Sequence, residues 1–383
     1  MNIFLISRGI PTSDNPTWGN FELDQAKELQ KLGHDVTILC VDRRLRLKKR
    51  KIGITSQTID NIPCYSLFLM PLALISCISK ALANRARESM GKMVYNYAVK
   101  QKGLPDIIYA HYLTNMALVS RLCKENSIPL VGIEHWSELN ANPIKPYVRS
   151  LALNTYPYCS RIIAVSDSLR NSIKSNFGFD AISINNLVSA DFLQSSDVSP
   201  MPESSTIEFV SVGALLPRKG HDILIKAFSK IKSKKEWHLN IIGSGPEKAN
   251  LQQLIDSLHL HDNITLAGSK NKAEVHEYLA KGDAFVLASN CETFGVVFIE
   301  ATATGLPVIG TVCGGPEEII NDSNGILVEK GNVGQLAEAI DRMIDTYHDY
   351  DKEIIARECR EKYSPDVIGR KIEKVLLEAI NEK

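Results

Sequence analysis

Two glutamates separated by seven residues, Glu292 and Glu300, lie in the most informative stretch of the chain, Phe285-Val-Leu-Ala-Ser-Asn-Cys-Glu-Thr-Phe-Gly-Val-Val-Phe-Ile-Glu-Ala-Thr-Ala-Thr-Gly-Leu-Pro-Val-Ile-Gly310. The pattern predicts a buried strand, a short loop carrying Glu292, and a helix that opens near Gly295 with Glu300 inside it. Glu300 is flanked by Val297, Phe298, Ile299 and Ala301, an apolar setting in which an unpaired carboxylate is costly. A pair of vicinal hydroxyls, such as those of a ribose, would satisfy it; so would a neighbouring arginine. Glycine at 295 lets a ligand approach the backbone, and the free N–H groups of Phe294, Gly295 and Val296 at a helix start suit a phosphate.

A second constellation is Phe209-Val-Ser-Val-Gly-Ala-Leu-Leu-Pro-Arg-Lys-Gly-His221. A strand ends at Gly213, and a tight turn presents Arg218 and Lys219 before the next helix. Two cations there can neutralise a diphosphate and stabilise the charge left when it departs; the alternative is a solvated basic turn. The third, Ile241-Ile-Gly-Ser-Gly-Pro246, is a strand, a glycine turn and a helix start. It lacks the third glycine of a dinucleotide fingerprint, and no acidic residue ends the next strand, which argues against a nicotinamide enzyme. Near the N-terminus, the loop from Arg8 to Gly19 is longer than a Rossmann glycine turn, long enough to arch over a ligand.

The elements that must position these residues alternate from end to end. Strands are expected at Asn2–Ser7, Asp35–Val41, Asp106–Ala110, Pro129–Ile133, Ile162–Val165 and Ala181–Ile184, then at Ile207–Val212, His238–Ile242, Asn263–Ala267, Ala284–Ala288, Pro307–Ile309 and Ile326–Val328. Amphipathic helical stretches lie between them. Such βα alternation implies α/β architecture: two Rossmann-like, doubly wound domains with mostly parallel sheets, facing a central cleft at the carboxyl ends of both. The domains are expected at 1–188 and 207–362, joined by a Ser-, Asp- and Pro-rich linker at 189–206 that would act as the hinge of closure. A C-terminal helix at 363–383, opened by Ser364 and Pro365, packs back on the N-terminal domain in this reading.

Composition limits the function further. With 44% apolar and 23% charged residues among 383, the chain reads as globular rather than disordered or fibrous. Forty-four basic and 44 acidic residues give zero net charge, which argues against a nucleic-acid binder. Eight scattered cysteines without a CxxC pair read as reduced thiols of a cytoplasmic protein. The N-terminus is a short strand pattern rather than a signal peptide, and the most apolar run, Leu67–Ile78, is too short to span a bilayer.

The run Glu292–Glu300 with the following Ala-Thr-Ala-Thr-Gly-Leu-Pro-Val resembles the Glu-x7-Glu signature of retaining glycosyltransferases of family 4, which have the GT-B fold. The likeness extends to Val212-Gly-x5-Lys-Gly220, Ile242-Gly-Ser-Gly-Pro-Glu247 and Gly314-Gly-Pro-Glu-Glu-Ile319, strongly over 205–345 and loosely over the N-terminal domain. The resemblance implies transfer of a hexose-type sugar from a UDP- or GDP-sugar to a sugar or lipid-linked acceptor hydroxyl, in polysaccharide or glycolipid assembly, without cofactor or metal. It implies that Glu300 binds the ribose hydroxyls and Glu292 the donor sugar. Lys219, with Arg218 and the backbone of Phe294, Gly295 and Val296, holds the diphosphate, and Gly243 completes the nucleotide-sugar site. Gly19 would pass near the phosphate or acceptor. Val131-Gly-Ile-Glu-His-Trp-Ser137 resembles the family's strand-end histidine segment, placing His135 beside the reacting sugar. Two departures stand out. The family usually has an arginine where Ala214 follows Gly213, and Asn185-Asn-Leu-Val-Ser-Ala-Asp191 replaces its usual Asn-Gly-Val-Asp. Rival readings are a nucleotide-sugar epimerase or sugar phosphorylase on the same scaffold, or a catalytically silent subunit. Asp349-Tyr-Asp351 imitates the metal motif of a different glycosyltransferase fold and reads as solvated surface.

The zero net charge conceals two opposite halves. Residues 1–187 carry 23 basic and 14 acidic residues, and 188–383 carry 21 and 30. Much of the N-terminal surplus lies in Arg43-Arg-Leu-Arg-Leu-Lys-Lys-Arg-Lys51, seven cations in nine residues, and in Lys80, Arg85, Arg87 and Lys92 beyond the apolar run. Together 43–51 and 67–92 are expected to dock the acceptor-side domain on an anionic membrane at the cytoplasmic face, each basic residue contributing about 1 kcal/mol. Salt-sensitive binding to anionic vesicles that disappears on charge reversal of 43–51 is the expected result; no binding at low salt removes the assignment.

Overall fold

The computed structural model describes residues 1–12, 18–42, 51–69, 80–141, 143–193 and 206–382. Positions 43–50 of the basic run, 70–79 of the apolar run, 13–17 of the N-terminal loop and 194–205 of the expected linker lie outside the described residues. The chain divides into two compact units, Met1–Asn185 with Pro365–Lys383, and Asn186–Ser364.

The first unit is built on eight strands in the order β3-β4-β2-β1-β5-β6-β7-β8. β1 (Asn2–Ser7), β2 (Asp35–Asp42), β5 (Ile107–His111), β6 (Leu130–Glu134), β7 (Arg161–Ala164) and β8 (Ile182–Ser183) are parallel. Helices α1 (Asn20–Lys31), α2 (Lys80–Lys102), α3 (Leu113–Glu125), α4 (Pro146–Thr155) and α5 (Asp167–Phe177) complete the βα alternation. Ile3, Phe4, Leu5 and Ile6 of β1 are all buried, as a strand covered on both faces must be. The chain winds outward from β1 in one direction through β2 and in the other through β5. The carboxyl ends of β1 and β5 therefore form a topological switch point, where open α/β sheets bind ligands.

The hairpin of β3 (Gly53–Ile59) and β4 (Ile62–Phe68), the sheet's antiparallel edge, is absent from the expected strands. β3 is largely exposed and polar, and Pro63 interrupts the strand signal of β4. The signal that was present is the two-residue turn Asp60-Asn61, with both φ values positive at 48° and 64°.

The second unit has six parallel strands in the order β11-β10-β9-β12-β13-β14. They are β9 (Thr206–Val212), β10 (Glu236–Ile242), β11 (Ile264–Gly268), β12 (Ala284–Val286), β13 (Val308–Val312) and β14 (Gly325–Glu329). Around them lie α6 (His221–Phe228), α7 (Lys248–Ser257), α8 (Lys272–Lys281), α9 (Val296–Ala303), α10 (Val333–Thr346) and α11 (Lys352–Tyr363). Phe209, Leu224, Phe228, Leu239, Val286, Ile309 and Ile340 form part of one buried cluster. Here the switch point lies between β9 and β12, so the loops after these two strands meet.

The unit boundary departs from the expected linker. Ala190–Phe192 forms a 3-10 turn, Phe192 is buried against His276 with ring centroids 5.8 Å apart, and Lys272 Nζ donates to Ser189 Oγ at 3.0 Å. Residues 189–193 thus pack within the second unit, because Phe192 has apolar surface to bury. The final helix α12 (Pro365–Asn381) belongs to the first unit. Its Glu373 lies 2.8 Å from His34 Nε2, and its Gly369 sits against Glu28, where a Cβ would come within 2.5 Å of Cγ. Asp351 serves the fold directly, for its carboxylate accepts the N–H groups of Glu353 and Ile354 and caps α11. Arg85 and Lys92 of α2 are exposed, and no helix among the described residues is long and apolar enough to cross a membrane.

Glu134, the last residue of β6, is fully buried and accepts a hydrogen bond from Tyr156 Oη at 2.9 Å. Burial pushes its carboxyl up from 4.5 to about 8, against the opposing pull of the tyrosine hydrogen bond. The folded unit therefore keeps a proton that the unfolded chain releases. Stabilisation from this group is complete below about pH 4.5 and lost as pH rises through about 8, at up to about 1.4 kcal/mol per pH unit. Glu134→Gln, which keeps the acceptor for Tyr156, is expected to flatten the fall in the first unit's melting temperature between pH 5 and 8; an unchanged slope counts against a neutral Glu134.

Candidate active site

In the second unit, β9 runs into a loop that ends in a 3-10 turn, Pro217–Lys219, and then Gly220 in the left-handed region at φ 64°. A Cβ at Gly220 would lie 1.9 Å from the carbonyl oxygen of Ala288, just beyond β12. Only glycine allows this contact, and it draws the two switch-point loops together. Hydrogen bonds fasten them: the Asn290 N–H donates to the Arg218 carbonyl at 2.8 Å, and Asn290 Nδ2 to the Pro217 carbonyl at 3.1 Å. The Gly-Ser-Gly turn after β10 stacks on the same loop, with Gly243 against the Gly213 carbonyl and the Leu215 N–H donating to the Ser244 carbonyl at 3.0 Å.

This closure brings Lys219 Nζ to 2.5 Å from Glu292 Oε1, with 9% of the lysine and 6% of the glutamate exposed. Ser289 Oγ donates to the same carboxylate oxygen at 2.6 Å, and Thr311 Oγ1 holds the Ser289 carbonyl at 2.5 Å. Two opposite charges withdrawn from water require such geometry, since desolvation otherwise exceeds their attraction. The lysine carries three N–H donors, so the one aimed at Glu292 leaves others for an anionic ligand. His221, next in sequence to Gly220, is also buried, against Gly213. Burial, and then the nearby Lys219 charge, push its imidazole down to about 4, which keeps it neutral beside the lysine.

The other expected residues of this unit take distinct places. Arg218 is exposed and contributes its carbonyl to the loop clasp. Phe294 is buried against Tyr363, with ring centroids 5.6 Å apart. Gly295, at φ 94°, caps α9, whose first residue is Val296. Glu300, on that helix, is half-buried rather than enclosed, and it has an interaction partner. Ser289, Thr311 and His221 were not singled out by sequence. His221 follows the Lys-Gly pair directly and was legible by position; the two hydroxyls join the site only through strand adjacency.

Gly19 and His135 lie in the first unit, at its own switch point. Gly19, at φ 85°, caps α1, and a Cβ there would come within 2.2 Å of the Gly9 carbonyl oxygen. That contact folds Trp18 over Arg8. The Arg8 guanidinium carbon stands 4.6 Å from the Trp18 ring centroid and 4.8 Å from that of Tyr112. Its Nε is 3.8 Å from Oε1 of buried Glu22. Burial raises the Glu22 carboxyl pKa, and the Arg8 charge opposes that rise. His135 follows β6, and its ring meets that of His111, the last residue of β5, edge to edge, with planes 4° apart and centroids 5.3 Å apart. His135 Nε2 is 3.2 Å from His111 Nδ1.

Residues 20–191 match the family Glycosyltransferase Family 4, and residues 198–376 match Glycosyl transferases group 1. The chain belongs to this family of glycosyltransferases. It is similar to N-acetyl-alpha-D-glucosaminyl L-malate synthase of Bacillus anthracis, 26% identical over 325 residues that cover 82% of this chain and 80% of that one. An uncharacterized glycosyltransferase of Methanocaldococcus jannaschii is 32% identical over 251 residues, 64% of this chain and 67% of its own length. A putative teichuronic acid biosynthesis glycosyltransferase of Bacillus subtilis is 28% identical over 367 residues, 89% of each. Among solved structures, sucrose-phosphate synthase from Thermosynechococcus elongatus superposes over the whole of both chains with a TM-score of 0.80 at 16% identity. Anabaena HepE in complex with UDP-glucose does so over 99% of this chain and 100% of its own, with a TM-score of 0.74 at 18% identity. The fold is GT-B.

The buried pair has a measurable consequence. Lys219→Met leaves Glu292 enclosed without its countercharge and is expected to destabilise the second unit by about 3–5 kcal/mol in urea unfolding, whereas Lys219→Met with Glu292→Leu recovers most of that loss. A single variant as stable as the parent would show that the pair is not formed in solution.

Proposed function

We propose that this glycosyltransferase is a retaining enzyme that moves a hexose-type sugar from a UDP- or GDP-sugar to a hydroxyl acceptor in polysaccharide or glycolipid assembly. The observation that carries the reading is the buried Lys219–Glu292 pair at the switch point of the second unit. Its ammonium stabilises the diphosphate, aided by Arg218 and the amides of Phe294, Gly295 and Val296, while the Glu292 carboxylate accepts hydrogen bonds from sugar hydroxyls. Glu300 holds the ribose hydroxyls of the nucleotide. The relative named for teichuronic acid biosynthesis and the neighbour solved with UDP-glucose support this choice of donor and pathway class.

In the reaction the acceptor oxygen bonds to the anomeric carbon on the face from which the diphosphate leaves. The carbon–oxygen bond to the diphosphate breaks, and the acceptor hydroxyl proton passes to the departing diphosphate oxygen. Configuration is retained, and the products are the glycoside and a nucleoside diphosphate. Lys219 meets the charge that develops on the leaving group, so positioning and charge stabilisation supply the catalysis without a metal. His135 stands beside the sugar. The protein acts in the cytoplasm, with its first unit at an anionic membrane that carries a lipid-linked acceptor.

A thermal-shift screen of nucleotide sugars, followed by mass spectrometry with candidate acceptors, identifies the donor. Conversion of donor without acceptor would instead indicate an epimerase, and a phosphate requirement a phosphorylase. With the donor in hand, Glu300→Ala is expected to weaken nucleotide binding by about 10–100-fold, the worth of hydrogen bonds to a charged group, and Glu292→Ala to cut turnover mainly. Unchanged calorimetric affinity in the Glu300 variant would remove its assignment.

A further inference from the structure

The chain passes between the units twice, from Asn185 to Asn186 and from Ser364 to Pro365. The proposed reaction gives no role to the residues beside these crossings, yet one of them reaches the candidate site. Tyr363, the last residue of α11, is 6% exposed and touches three separate segments of the second unit. Its carbonyl accepts the Val188 N–H at 2.9 Å, which fastens the incoming chain to the outgoing one. Its hydroxyl donates to the Glu318 carbonyl at 3.1 Å, at the end of the 3-10 turn Pro316–Glu318 that follows β13. Its ring meets that of Phe294 edge-on, with centroids 5.6 Å and planes 66° apart. Burial raises the Tyr363 phenol above its ordinary pKa, so the hydroxyl stays protonated and can donate.

Phe294 opens the segment whose amides face the helix start. Gly295, at φ 94°, has little conformational preference of its own, so the direction of the N–H groups around it depends on what holds its neighbours. On one side, the Phe298 ring lies 2.8 Å from where a Gly295 Cβ would stand. On the other, the backbone of Gly315 approaches so closely that a Cβ there would lie 2.4 Å from both the Cα and the carbonyl oxygen of Phe294. Tyr363 completes the hold. Its hydroxyl fixes the turn whose Glu318 N–H donates to the Gly315 carbonyl at 3.1 Å, and its ring fixes the ring of Phe294, which is 1% exposed.

We infer that Tyr363 is a positioning residue that joins the segment of Phe294, Gly295 and Val296 to both chain crossings of the second unit. The inference rests on the proposed role of that segment in holding the donor diphosphate. It has a mechanical consequence. The hydrogen bond from Val188 to Tyr363 opens only when one of the two moves, and Tyr363 is clamped against Phe294. A nucleoside diphosphate that immobilises the Phe294 segment therefore also keeps this bond closed, and the crossing opens less often while nucleotide is bound. Val188 holds no part of the ligand, so its amide reports on the site through Tyr363.

The test is amide hydrogen exchange on the full chain, read by mass spectrometry with and without saturating UDP or GDP. Bound nucleotide is expected to slow exchange in the peptide containing Val188, and to slow it more there than in the edge strand β11. Tyr363→Leu, which removes the ring and the hydroxyl, is expected to weaken calorimetric affinity for the nucleotide by about 3–10-fold, the worth of one edge-on ring contact. At saturation the same variant is expected to lose the slowing at Val188. Tyr363→Phe keeps the ring and is expected to restore both affinity and slowing. Nucleotide that binds the parent without slowing exchange at Val188, slowing of equal size in β11, or a leucine variant that matches the parent in both readings overturns the inference. If Tyr363→Leu does not fold, the comparison of Val188 with β11 in the parent decides. Failure of both nucleotides to bind the parent refutes the donor reading instead, and this inference falls with it.

Discussion

The buried contact between Lys219 and Glu292 governs the organisation of the second unit. An ammonium and a carboxylate withdrawn from water are tolerable only at close range and with additional hydrogen bonds, and each neighbouring feature supplies one of these conditions. Gly220 permits the backbone contact that closes the gap between loops, Ser289 satisfies the carboxylate, and Thr311 fixes Ser289. His221 stays neutral, so the lysine faces no competing charge. The contact in turn depends on the strand order: β9 and β12 are neighbours, and their loops bring together residues 73 positions apart.

The two units build their switch points with different chemistry. Each places its polar residues at the carboxyl ends of the strands where its winding reverses. The second unit concentrates an ion pair there, on loops clasped by backbone contacts. The first concentrates ring contacts: the Arg8 guanidinium lies over the Trp18 and Tyr112 rings, and the His135 ring meets those of His111 and Tyr112.

Much of this was legible in the sequence where the signals are local. The helices Asp167–Phe177 and Val333–Thr346 are bounded by side-chain caps at Ser166 and Asn332, and the first also by a left-handed glycine at 178. Helix Lys352–Tyr363 was less legible because seven of its twelve residues are charged, which masks the apolar stripe formed by Ile355, Ala356 and Cys359. The residue types of the candidate site were readable from their motifs, but their pairing was not. Lys219 meets Glu292, and His111 meets His135, only because particular strands lie side by side, and strand order is set by long-range packing rather than by spacing along the chain.

The path of the chain bears on how the molecule is made. The first unit takes its residues from both ends of the sequence, with the whole second unit inserted between Asn185 and Pro365. During synthesis, the β-sheet that emerges first must wait for α12, which covers Glu28 and His34, until all of the second unit has followed. The unit begun first is completed last. Until then the apolar surface destined for Ile368, Ile372, Val375 and Leu376 stays uncovered, and a break in synthesis before α12 damages the first unit rather than the second.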